Sequence, residues 1–258
     1  MTNKITITPD RFREACEAVM SSERERERER QGIGTLSEKT LHAVIKRCIE
    51  PDTAFHEISI GRFVADVFRG DGVFEIQTGS FTPLRPKLEA MLEYADVPSV
   101  TVVYPMAAVK YLTWIDPETG EAEKPRRSPK KMRPIDSCRE LIRIKYLLDN
   151  PRFRVKLLLL EIHELRLKDG RRSRDGKRGS HREDRLPARL IDEIDLCTPA
   201  DYDLFLPEVL SDEFTIKELA KKAGTSYETA QCAVTILCYL GRTEQTGTRG
   251  RTKLFKRT

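Results

Sequence analysis

The chain has 258 residues, of which 39% are hydrophobic and 34% charged, and a formal net charge of +5. That length holds one large domain, or a medium domain with a small one, around a real core. No segment approaches the roughly 18 consecutive apolar residues of a membrane span; the run from Val155 to Leu160 already contains Lys156. The start, MTNKITITPDRF, lacks the basic stretch, apolar core and small-residue site of a signal peptide. The six cysteines, Cys16, Cys48, Cys138, Cys197, Cys232 and Cys238, are scattered and form no C-x-x-C pair. Neither a disulfide framework nor a zinc site is expected, and the sequence reads as a soluble protein of a reducing cytoplasm.

Residues 10 to 33 read as a lead-in helix whose end, Glu23 to Arg30, alternates Glu and Arg in the manner of a solvated face, until Gly32 and Gly34 break it. A second helix is predicted from Thr35, with Thr35 and Glu38 as its capping box. Its buried stripe is Leu41, Val44, Ile45, Cys48 and Ile49, and Pro51 stops it. Three short apolar runs follow, His56 to Ile60, Phe63 to Phe68 and Val73 to Gln77, separated by Gly61-Arg62 and Gly70-Asp71. A helix from about Pro83 to Tyr94 presents Leu84, Leu88, Met91 and Leu92. VTVVYP, from Val100, has the β-branched continuity of a strand buried on both faces.

Beyond it, a hairpin is expected around Pro117 to Gly120. DSCRELIRIKYLLDNP reads as one helix, capped by Ser137 and Glu140, and RVKLLLLEIHELRLKDG as a long strand. Residues 170 to 185 read as a charged loop. Residues 196–258 then change character. PADYDLFLPEVL is a first helix; TIKELAKKAG and TSYETAQCAVTILCYLG follow, with capping boxes at Thr215/Glu218 and Thr225/Glu228 and glycine stops at Gly224 and Gly241. The tail around Gly247 and Gly250 alternates as a hairpin does. Helix, tight turn, helix and basic hairpin resemble a winged helix-turn-helix domain.

Within FVADVFRGDGVFEIQTG, residues 63 to 79, two carboxylates interrupt apolar strands. If Gly70 and Asp71 form a two-residue type II′ loop, Arg69 pairs with Gly72 and Asp66 faces Glu75. If Gly61 and Arg62 form the preceding loop, Glu57 faces Asp66, and three acids line up across three strands. Alternation puts Gln77 on the Glu75 face. Facing like charges destabilise a sheet, and each raises the other's pKa. A hard divalent cation removes both penalties, since Mg²⁺ takes one or two carboxylates plus water and phosphate oxygens. The competing reading makes these acids edge charges or ion-pair partners of Arg62, Arg69 or Lys87.

Helix, three antiparallel strands, helix and strand, with Asp66 on the second strand and Glu75-x-Gln77 on the third, resemble the PD-(D/E)xK nuclease superfamily over about residues 35 to 105. The resemblance implies an α/β fold with a restriction-endonuclease-like α-β-β-β-α-β core, a mixed sheet flanked by helices. It implies Mg²⁺ (or Mn²⁺) held by Asp66 and Glu75, with Glu38 as a helix-borne helper; the pairing count alone adds Glu57 as a further candidate ligand. It also implies a water-assisting residue where this chain has Gln77 and the family most often has Lys. Glutamine supplies no positive charge. Either Arg85 or Lys87 of the next helix replaces it, or the protein binds without cutting. Glu38 and His42 lie one helical turn apart, where a cap and an ordinary helix histidine account for them as well. His56 points to the other face and carries no catalytic role.

The segment KPRRSPKKMR, residues 124 to 133, holds Arg126, Arg127, Lys130 and Lys131 among six cations and no acid. Phosphate binding is its natural use, a solvated connector its plainer one. In the C-terminal domain, Ser226, Tyr227, Thr229 and Gln231 would enter the major groove, with Arg249, Arg251, Lys253, Lys256 and Arg257 on the wing. Three segments are expected: a lead-in over 1–33, a nuclease-like domain over 34–195 and a winged helix over 196–258. The expected function is Mg²⁺-dependent hydrolysis of DNA phosphodiesters; the alternative is a catalytically inactive nuclease-like regulator that binds DNA. DNA is the expected partner and a membrane is not; a homodimer is left open.

Overall fold

The computed structural model describes residues 5–29, 40–170 and 179–258, with backbone alone for 23–29. It is a mixed α/β chain. Helix α1 (Pro9–Glu29) precedes α2 (Thr40–Ile49), three strands β1 (His56–Ile60), β2 (Phe63–Arg69) and β3 (Gly72–Ile76), helix α3 (Arg85–Glu93) and strand β4 (Val100–Ile115). The short β5 (Arg126–Arg127), a helical turn α4 (Cys138–Leu141) and two long strands, β6 (Phe153–Gly170) and β7 (Gly179–Leu196), follow. The chain ends in β8 (Glu213–Phe214), α5 (Ile216–Ala223), α6 (Tyr227–Tyr239), β9 (Thr243–Arg249) and β10 (Thr252–Arg257). Seven strands form one sheet in the order β1-β2-β3-β4-β6-β7, with β5 also on β4; β8, β10 and β9 form a second. Within the first sheet β2 and β3 run antiparallel, while β3 and β4 run parallel.

The chain divides into two compact units: Met1–Ile58, Pro105–Met132 and Leu158–Glu193 form the first, and Ser59–Tyr104, Arg133–Leu157 and Ile194–Thr258 the second. In the first, the predicted stripe of α2 is buried throughout. Phe12, Ala15 and Val19 of α1 are buried too, and the Arg11 guanidinium donates to the Ile49 carbonyl at 2.8 Å, closing the C-terminus of α2. Thr35 and Glu38 lie outside the described residues, as do Gly32 and Gly34. In the second unit, β3 is buried along its whole length, and Val100 to Tyr104 are buried on both faces of β4 as the β-branched run predicts.

Several expectations are corrected. The 70–71 loop is two residues long and pairs Arg69 with Gly72, yet Gly70 has no positive φ; it is Gly72 that does, at 139°. That rules out a type II′ turn, which needs its left-handed residue first. The 137–148 helix is broken: a 3-10 turn at Pro134–Ser137, one α turn, then a 3-10 stretch with Ile144 outside helical angles. Ser137 turns its hydroxyl back to the Pro134 carbonyl, and Glu140 instead accepts from the Phe81 N–H at 2.9 Å. The first C-terminal helix is a 3-10 helix, Pro199–Phe205, whose two buried residues, Tyr202 and Phe205, stand three apart, the period of that helix. At α6 the cap is Ser226, accepting from the Thr229 N–H, not Thr225. Finally, part of the expected 170–185 loop is strand, since β7 begins at Gly179.

Candidate metal and nucleic-acid site

The β2–β3 hairpin positions the central pair. Its ladder runs Arg69↔Gly72, Phe68↔Val73, Val67↔Phe74, so the next step sets Asp66 opposite Glu75. There the carboxylates take over from the backbone ladder: the Asp66 N–H donates to Glu75 Oε1 at 3.3 Å, and the Ile76 N–H donates to Asp66 Oδ2 at 2.7 Å. Parallel pairing with β4 places Val102 beside Glu75. Glu75 is 2% exposed. Burial, and then the neighbouring Asp66 charge, push its pKa up to about 7, against the opposing pull of Lys87.

Lys87, on the first turn of α3, is ion-paired with Glu75 Oε2. A basic residue of the following helix therefore stands at the acidic pair. Gln77 does not: its side-chain amide donates to the Ser80 carbonyl, and its backbone N–H to the Val103 carbonyl at 2.9 Å. Arg85, the other candidate, stacks on Tyr146 and donates to its hydroxyl.

Glu57 is held elsewhere. Its φ is 55°, the one positive value among described non-glycine residues, a conformation that costs a non-glycine residue about 1 kcal/mol or more. Its carboxylate is paired with Lys46 of α2 at 2.9 Å. Glu38 lies outside the described residues. His42 is half-buried on α2, and the His56 ring bonds the Glu50 carbonyl. Among the described residues no group of three or more His, Cys, Asp and Glu side chains is placed to share an ion. The centre is thus two carboxylates and a lysine.

The basic residues fall into two sets. Arg126, Arg127, Lys130 and Lys131 are all exposed. In the second unit, Ser226 spends its hydroxyl on the cap and Thr229 is buried, while Tyr227 is 47% exposed. The start of α6 is tied within that unit: Thr225 donates to Asp136 at 2.8 Å, and Arg139 pairs with Glu228 at 3.0 Å. On the hairpin, Arg249 pairs with Glu218 at 2.8 Å, Arg257 donates to the Pro207 carbonyl at 2.7 Å, and Arg251 and Lys253 are exposed.

A family described as a domain of unknown function, DUF8091, matches residues 39–197, more than half of the chain. The chain belongs to the DUF8091 family. The match covers the α2-to-β4 segment with its carboxylate pair and ends at the close of β7. The chain is also similar to an uncharacterized protein of Treponema pallidum (strain Nichols), 26% identical over 226 residues that cover 87% of each chain. No solved structure matches it significantly. No helix among the described residues is long and apolar enough to cross a membrane.

Proposed function

We propose that this DUF8091 protein is a metal-dependent phosphodiesterase acting on DNA, with a restriction-endonuclease-like core over α2 to β4 and a small winged helix at its C-terminus. The observation that carries the reading is the facing of Asp66 and Glu75 across β2 and β3, with Lys87 on Glu75. The order of elements supports it: helix, antiparallel hairpin strands, helix, then a strand parallel to the third. The donor set suits magnesium, which needs one or two carboxylates and fills its other positions with water and phosphate. Asp66 and Glu75 would hold the ion; when bound it polarises a phosphoryl oxygen and activates water.

The chain's own groups have distinct parts. Glu75, with a pKa near neutrality, holds a proton or releases it at small cost in pH, and so is poised to give way to a cation. Lys87 brings the positive charge that Gln77 cannot, and its ammonium would neutralise charge on the substrate phosphate. A second reading rests on the same geometry. The carboxylates already satisfy two strand N–H groups and Lys87, so they need no ion, and the protein would bind DNA without turnover.

One experiment separates the two. Mg²⁺ and Mn²⁺ are titrated calorimetrically into the wild type and Asp66→Ala, and both proteins are assayed on single-stranded, duplex and branched DNA. Saturable binding and cleavage, both lost in Asp66→Ala, support the phosphodiesterase. DNA binding that is indifferent to Asp66→Ala, with no turnover in either metal, favours the regulator.

A further inference from the structure

Past Met106, β4 leaves its buried stretch, and every residue from Ala107 to Ile115 except Thr113 is half-exposed. This outer half belongs to the first unit, with the outer parts of β6 and β7. The basic segment is fastened along its edge. Tyr111 pairs with Arg127 and Leu112 with Arg126; the Ser128 N–H then donates to the Lys110 carbonyl at 2.8 Å and the Met132 N–H to the Ala107 carbonyl at 3.0 Å. Four exposed cations, Arg126, Arg127, Lys130 and Lys131, are therefore held beside one strand rather than carried on a free connector.

The same strand offers flat side chains. Cross-strand partners share a face with Cβ atoms about 5 Å apart, so Arg127 lies beside Tyr111. On the other side, Tyr111 meets His163 of β6, with ring centroids 5.0 Å apart. Guanidinium, phenol and imidazole thus follow one another across three adjacent strands. His163 keeps 37% of its side chain exposed. The acid beside this row, Glu161, is shared: it lies 3.8 Å from His163 Nε2 and 3.2 Å from the Arg189 guanidinium. On the opposite face Arg126 lies over the Trp114 ring, 5.7 Å from its centroid.

We propose that Arg127, Tyr111 and His163 form a stacking platform for the unpaired bases of a single-stranded nucleic acid, whose phosphates run along Lys130 and Lys131. Half-exposed flat groups in a row beside a basic edge, where Glu123 pairs with Arg126 at 3.7 Å and with Lys168, match a strand that presents alternating bases and phosphates. A duplex hides its base faces and could use only the cations. The platform uses neither Asp66 nor Glu75, so it stands or falls apart from any metal chemistry.

The full-length Asp66→Ala protein, chosen so that cleavage cannot intrude, is titrated into an end-labelled oligothymidylate of about 20 nucleotides and binding is read as fluorescence anisotropy. Saturable binding and weakening with salt are expected. Tyr111→Leu and His163→Leu should each weaken binding about 5- to 100-fold, while Tyr111→Phe, which keeps the ring, retains it. A duplex of the same sequence should bind at least about tenfold more weakly. Three outcomes overturn the proposal: binding unmoved by the Leu variants but lost in Lys130→Ala/Lys131→Ala, a duplex bound as tightly as the single strand, or polyglutamate competing as well as the oligonucleotide. Should Tyr111→Leu fail to fold, His163→Leu and Tyr111→Phe decide the question.

Discussion

Glu75 is a carboxyl group that the fold makes reluctant to ionise. Its pKa rises from the ordinary 4.5 to about 7, through burial first and the Asp66 charge second. The folded chain then keeps a proton that the unfolded chain releases, so in the metal-free protein stability falls as pH rises between those two values and levels off above 7. Glu75→Gln removes this titration. Relative to that variant, the wild type should lose about 3 kcal/mol between pH 4.5 and 8, read by urea unfolding in EDTA at a series of pH values; parallel profiles would show that Glu75 ionises as an ordinary acid. The facing of the two carboxylates was legible in the sequence because nine residues and a two-residue loop fix which side chains meet. The turn of Gln77 toward the Ser80 carbonyl was not, since nothing in residue types or spacing says which backbone oxygen a side chain will find.

The β2–β3 hairpin shows where element-level reasoning holds and where it stops. The Gly70-Asp71 turn signal located the loop and its register, but the position of the left-handed glycine follows from close packing. A Cβ on Gly72 would lie 2.3 Å from the Ser99 carbonyl oxygen, at φ 139°, and Ser99 in turn donates to the Asp71 carbonyl at 2.6 Å. Gly70 has nothing within 4 Å of such an atom. Gly72→Ala should therefore destabilise by about 2 kcal/mol or more, and Gly70→Ala by less than about 0.5 kcal/mol, a contrast that chemical denaturation measures directly. Equal effects would mean that the strain is not localised at Gly72. β7 was misread for a different reason. Its buried residues, Ser180, Asp184, Pro187, Leu190 and Leu196, keep no period of two, and two of them are polar, so the pattern that betrays a half-buried strand never forms. The α2 stripe and the Thr215–Glu218 capping box were legible because each is decided within a few residues of chain.

At the scale of the whole molecule, the chain does not lay down its compact units one after another. β4, β6 and β7 each begin in one unit and end in the other, and the change in composition near residue 196 falls where the chain enters the second unit for the last time, at Ile194. The C-terminal helices share the second unit with Arg133–Leu157. There α6 packs on α4 and on the 3-10 stretch after it. Around that packing, the Arg133 guanidinium donates to the Ala223 carbonyl at 3.2 Å, Thr225 bonds Asp136, and the Tyr239 hydroxyl donates to Asp149 at 3.1 Å. Cys138, Leu141 and Ile144 are fully buried in this unit. Each buried aliphatic side chain contributes about 1.5–3 kcal/mol, and a domain's net stability is only about 5–15 kcal/mol. Uncovering a few of them is enough to unfold the unit. A chain ending at residue 198 should therefore lose its cooperative thermal transition in the second unit, bind a hydrophobic dye such as ANS, and exchange the amide protons of Cys138 to Leu147 freely. A truncated chain that melts as sharply as the full one, with those amides protected, would instead make the last sixty residues an appended module.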